Sequence, residues 1–141
     1  MLWNKKVAAA QEQAVAAWIT NINQIRMDEL GEKLRAQASN LENSLKEIGK
    51  LKTFVGNPEK ILGSPLSKHG EIAEHVQVRI SNARKMISGL KAEYTFDGVG
   101  RTAPEDYLKN GQWVQSKYYN STGRTLDAVK EHLEKYPFFV N

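Results

Sequence analysis

The chain has 141 residues, enough for one domain or for a small domain carrying a helical extension. With 40% hydrophobic and 26% charged residues the balance is globular, and no apolar run approaches the roughly 18–20 residues a membrane span needs. Cysteine is absent, which excludes disulfides, thiolate metal sites and thiol nucleophiles; 20 basic against 16 acidic side chains leaves a net +4, compatible with a nucleic-acid partner without demanding one.

The charge is evenly spread, so no detached basic arm stands out. Lys5 and Lys6 precede Val-Ala-Ala-Ala, but Gln11, Glu12 and Gln13 end that run too early for a secretory h-region, and the expected location is the cytoplasm. Trp3, Val7, Val15, Trp18, Ile22 and Ile25 recur at mostly three- and four-residue spacings and predict a helix with one apolar stripe. A second stripe runs through Leu30, Leu34, Ala38, Leu41, Leu45 and Ile48. Gly31 either divides the two or only weakens a single long helix. The spacing is coiled-coil-like over about three heptads, which suits either a helical layer on the rest of the chain or contact with a second copy or protein partner.

Between Val55 and Pro65 stand two Gly, two Pro, an Asn and a Ser, a boundary signal. Ser67 then caps a helix expected to run to about Ser88, burying Ile72, Val76, Ile80, Ala83 and Ile87, with Gly89 as its stop. From Leu90 the period changes to two. Ala92–Phe96 is a short strand candidate, followed by turn residues Asp97-Gly98 and Gly100. Glu105–Lys109 and Gln112–Tyr119 flank Asn110-Gly111, a strong hairpin signal. Leu126, Val129 and Leu133 predict a further amphipathic helix, Pro137 follows it, and Phe138-Phe139-Val140 supply a final strand. The expected organisation is a helical segment over 1–55, coiled-coil-like, a linker over 56–66, and an α+β (α/β) core over 67–141.

A two-residue turn at Asn110-Gly111 sets Lys109 opposite Gln112, Leu108 opposite Trp113, Tyr107 opposite Val114 and Asp106 opposite Gln115. Directly opposed residues share a face at about 4.5–5.5 Å between Cβ atoms. Alternation puts Lys117 on that face as well. A carboxylate, a carboxamide and an ammonium therefore converge. Asp106 and the Gln115 carbonyl are hard oxygen donors of the type Mg²⁺ prefers, and Lys117 beside them can position water or offset phosphate charge. The bland reading of the same trio is a solvated hairpin face on which Asp106 and Lys117 pair across strands.

Asp106 followed at this spacing by Gln115-Ser116-Lys117, at the end of a hairpin, resembles the PD-(D/E)XK signature of restriction-endonuclease-like nucleases. Pro104-Glu105-Asp106 stands where the "PD" falls, with one extra residue between Pro and Asp. The predicted element order over about 68–141 is also similar to that family's αβββαβ core, with its mixed sheet. The resemblance implies a metal-dependent nuclease hydrolysing phosphodiester bonds in DNA or RNA. It implies Mg²⁺ or Mn²⁺ held by Asp106 and Gln115, Lys117 positioning water, and a glutamate from the first core helix, Glu74 with Glu71 second, completing the site. The family's second acidic residue is Gln115 here; a carboxamide brings no charge and holds a divalent ion more weakly.

Arg101 and Thr102, in the Gly-rich segment before Asp106, are candidates for a phosphate contact, as are Arg124 and Lys130 around the last helix. Each also reads as an ordinary solvated side chain. Trp113, Tyr118 and Tyr119 interleave with polar residues as stacking residues do; alternation places Trp113 and Tyr119 on the Gln115 face and Tyr118 on the other. His69, His75 and His132 have no zinc spacing. The alternative to a nuclease is a non-enzymatic inhibitor or assembly protein that binds through its N-terminal helices on a degenerate nuclease scaffold, a view that the Gln at the acidic position suits.

Overall fold

The computed structural model describes residues 1–64, 68–119 and 121–137. Helix α1 spans Leu2–Val55, and Gly31 leaves it unbroken. One glycine costs a helix only about 1 kcal/mol relative to Ala, too little to end a run of strong helix formers. The chain divides into two compact units, 1–39 and 40–141. In the first, Trp3, Val15, Trp18 and Ile25 are all exposed, so the predicted stripe lies in solvent.

The second unit begins inside α1, where Ser44 and Glu47 become buried. Glu47 is 4% exposed and pairs with Arg79 at 3.0 Å and Lys50 at 2.5 Å. Burial pushes its carboxyl up, but the hydrogen bonds from Lys50 and Arg79 outweigh that and hold it below its usual range. A turn of 3-10 helix over Pro58–Lys60 leads to Ile61, one of the buried core residues.

Helix α2, His69–Ile87, closes at Gly89, whose φ of +75° only glycine adopts without strain. There the Gly89 N–H donates to Met86 and the Leu90 N–H to Lys85, both at 2.9 Å, so the last carbonyls are satisfied. Ser67, the predicted cap, lies outside the described residues. The buried stripe differs from the predicted one: Val78, Asn82 and Ala83 are buried, whereas Val76 and Ile87 are exposed. A polar residue causes the rotation. Asn82 Oδ1 accepts from the backbone N–H of Glu93 and of Tyr94, each at 3.1 Å, and Nδ2 donates to the Tyr94 carbonyl at 2.8 Å. One side chain thus satisfies three main-chain groups and sets the chain as it enters the sheet.

That sheet has three antiparallel strands in the order β1 (Tyr94–Thr95), β2 (Tyr107–Lys109), β3 (Gln112–Val114). The hairpin register matches the turn geometry, with Tyr107 opposite Val114, Leu108 opposite Trp113 and Lys109 opposite Gln112. Asn110 and Gly111 have φ of 50° and 79°, the positive values a type I′ turn requires. All three strands are shorter than predicted, and β3 ends before Gln115. Helix α3, Thr122–Lys135, follows, with the Ser121 hydroxyl accepting from the Arg124 N–H at 3.3 Å. Leu126 and Leu133 on α3 are exposed rather than buried. Among the described residues the class is α+β. The predicted strand 138–140, which the expected mixed sheet requires, lies outside them.

His75, on α2, sits between Phe54 of α1 and Phe96 just after β1, with ring centroids 3.5 and 4.4 Å away. Burial, then the charges of Arg79 and Arg101, push its imidazole down to about 4, against Glu71. A depressed folded-state value means that the neutral ring's contribution is complete above about pH 6.5 and is lost as pH falls towards 4. His75→Phe, which keeps a ring in the stack, should therefore lose less stability than wild type between pH 7 and 4. The expected difference is about 1–2 kcal/mol, allowing for partial exposure, read from denaturant melts at each pH.

Candidate functional site

A cleft of about 440 Å³ opens where the start of α2, the residue before β2 and the segment after β3 meet. Glu74 reaches it from the second turn of α2, Asp106 from immediately before β2, and Gln115 and Lys117 from just beyond β3. The four residues named from sequence as catalytic thus line one cavity. Arg124, in the first turn of α3, lines it too. Lys130 and Arg101 do not.

The hairpin carries the site beyond its own ladder. The Asp106 N–H donates to the Val114 carbonyl at 2.9 Å, and Asp106 Oδ2 accepts from the Ser116 N–H at 2.5 Å. The carboxylate thereby replaces the next rung of strand pairing. Strand alternation, the ground on which Lys117 was placed beside Gln115, stops at Val114, yet Lys117 still borders the cleft. With alternation gone, Tyr118 and Tyr119 both line the cavity rather than taking opposite faces. Trp113 is exposed outside it. His69, dismissed from sequence on zinc spacing, borders the cleft and meets Tyr118 edge-on at 5.6 Å. Its only sequence signal was its place near Glu74 at the start of the same helix.

The two glutamates of α2 separate clearly. Glu71 is taken by structure: one oxygen pairs with Arg101 at 3.0 Å and the other accepts from the Leu62 N–H. Arg101 also donates to the Lys60 carbonyl, so it braces the loop before Asp106 against α2. Glu74 keeps its place in the cleft. Burial, then the charges of Asp106 and Glu71, push its carboxyl up to about 7, against Lys117. Asp106 is also raised, by burial first, although the Ser116 N–H, Lys117 and His132 hold it down.

Two partly desolvated carboxylates near each other favour a cation. Among the described residues no group of three or more His, Cys, Asp or Glu is gathered to hold a metal unaided. The Gln115 carbonyl supplies what such a count omits: its Oε1 is buried without a hydrogen-bond partner. A buried acceptor left unpaired costs about 1–3 kcal/mol, so a ligand that takes it up is favoured. Asp106 and Gln115, with Glu74 beside them, therefore fit a hard divalent ion.

Glu74 has a second consequence. A folded-state value raised to about 7 contributes stability below the unfolded value near 4.5 and loses it as pH rises through 7. This slope opposes that of His75. Glu74→Gln should accordingly raise stability by about 1–2 kcal/mol at pH 8 in EDTA and change it little at pH 5, as thermal melts at the two pH values will show.

No protein-family model, curated protein or solved structure matches this chain.

Proposed function

We propose that the chain is a metal-dependent nuclease that hydrolyses phosphodiester bonds in DNA or RNA, built on a restriction-endonuclease-like αβββαβ core. The observation that carries the reading is the convergence of Glu74, Asp106, Gln115 and Lys117 on one cleft, with the Gln115 carbonyl oxygen buried and unpaired. An ordinary solvated hairpin face has no reason to recruit a desolvated glutamate from a helix, nor to leave an acceptor unsatisfied.

Asp106 and Gln115 would hold Mg²⁺ or Mn²⁺, with Glu74 completing the set. Such an ion supplies charge neutralisation and polarisation of a phosphoryl oxygen. The Ser116 N–H fixes the Asp106 carboxylate at the edge of the cleft, so it need not reorganise to meet the ion. Lys117 lowers the local negative potential and can hold the attacking water by donating to it. Glu74, raised in the empty cleft by burial and by Asp106, would be ionised by the ion it helps to hold. Arg124 offers a guanidinium to a neighbouring phosphate.

The test is incubation of the purified full chain with single- and double-stranded DNA and RNA, in Mg²⁺ or Mn²⁺ and in EDTA. Cleavage that requires the metal is expected. A metal-independent or absent activity on all four substrates sinks the reading.

A further inference from the structure

Glu74 and Asp106 line two cavities. Beside the cleft that holds Lys117 lies a second, of about 430 Å³, to which Phe54, Val99 and Ala103 contribute apolar surface and Arg101 and Lys60 contribute charge. The carboxylates form a wall common to both. Each volume is at the small end of the range for small-molecule sites. Lys117 and Arg124 supply cations at the first cavity; at the second Arg101 is paired with Glu71, and Glu105 adds a further carboxylate, so that side suits an uncharged base rather than a phosphate. On the first side Tyr118 and Tyr119 are exposed residues, 56% and 44%, and base–aromatic stacking tolerates any base.

We infer that the site takes a single-stranded nucleic acid, with one unpaired base against Tyr119, the next in the Phe54–Val99 cavity, and the linking phosphate at the ion that Asp106 and Gln115 would hold. This rests on the nuclease reading and specifies its substrate. A base within a duplex is stacked and paired, and must be extruded before it can enter a concave pocket; a single strand has no such cost. Flat recognition of a duplex backbone would need neither the exposed tyrosine pair nor a second cavity behind the carboxylates.

Fluorescence anisotropy in Ca²⁺, a hard ion that the same oxygens can hold, measures binding to probes that a parallel gel shows to be intact. The probes are short labelled oligothymidylate and oligouridylate, against duplexes of the same length. Single strands should bind at least about tenfold more tightly than duplexes. Tyr119→Ala should weaken single-strand binding about 5- to 100-fold, and Tyr119→Phe should restore it. Val99→Trp, which fills the second cavity, should weaken single-strand binding while leaving duplex binding unchanged. Duplex binding as tight as single-strand binding, or indifference to both Tyr119→Ala and Val99→Trp, overturns the inference. Metal-dependent cleavage of duplexes alone would overturn it and leave the nuclease reading standing. Tyr119-dependent strand binding in Ca²⁺ with no cleavage in Mg²⁺ or Mn²⁺ would sustain the strand site and sink the nuclease reading.

Discussion

Lys117→Ala and Asp106→Asn should each lower metal-dependent cleavage at least about 100-fold, since the first removes a cation facing the reacting phosphate and the second removes the charged ligand of the metal. Stability should hardly move. Lys117 borders the cleft without an ion pair among the described contacts, and Asn at 106 keeps an oxygen that can accept from the Ser116 N–H. Asp106→Ala is the less clean variant, because it strands that N–H beside the sheet and costs about 1–3 kcal/mol. Initial rates and thermal melts on the same preparations check both halves of the expectation. Full activity in either Lys117→Ala or Asp106→Asn places the chemistry elsewhere.

Asn82→Ala should destabilise the second unit by about 3 kcal/mol or more. The side chain is 3% exposed and serves three main-chain groups, the N–H of Glu93, the N–H of Tyr94 and the Tyr94 carbonyl. Losing it leaves those groups short of partners where water has poor access, at about 1–3 kcal/mol for each group left unsatisfied. For a unit of this size that corresponds to a fall of roughly 10–20 °C in Tm. Val76→Ala, on the exposed side of the same helix, should stay within about 0.5 kcal/mol. Calorimetry on the two variants distinguishes this polar anchor from the apolar stripe that the periodicity suggests. Equal losses would contradict it.

The parts of the fold visible in the sequence are those set by local stereochemistry. Asn110-Gly111 forces positive φ at two successive residues, and that alone determines the turn, the register and the pairing of Tyr107 with Val114. Gly89 likewise marks the end of α2 by a conformation other residues resist. What stays hidden depends on tertiary partners. An asparagine within an apolar pattern reads as surface, yet Asn82 faces the core because the chain entering β1 brings its backbone groups there. Alternation after Val114 reads as strand, but Asp106 takes the next N–H with its side chain and the ladder stops. Of the candidate site, Asp106, Gln115 and Lys117 were legible from the hairpin, and Glu74 only from the family resemblance. The resemblance already puts Glu74 ahead of Glu71, and the reason Glu71 is unavailable, its contacts with Arg101 and the Leu62 N–H, needed the structure. The second cavity behind the carboxylates has no sequence signal, because α1, α2 and the loop after β1 all contribute to it.

Gln115→Glu bears most directly on the claim that this cleft is a divalent-metal site. In wild type the Gln115 carbonyl oxygen is buried and unpaired, close to two carboxylates already pushed upward. A carboxylate at 115 adds a charged ligand for Mg²⁺ but a further repulsion without it. The measurement is thermal stability of Gln115→Glu and wild type across a Mg²⁺ titration. Gln115→Glu should melt lower than wild type in EDTA. It should then gain stability with Mg²⁺ at lower concentration than wild type does, as tighter binding to the folded state requires. A loss in Gln115→Glu that Mg²⁺ leaves unchanged would contradict the metal site and favour a non-enzymatic binding protein on the same scaffold.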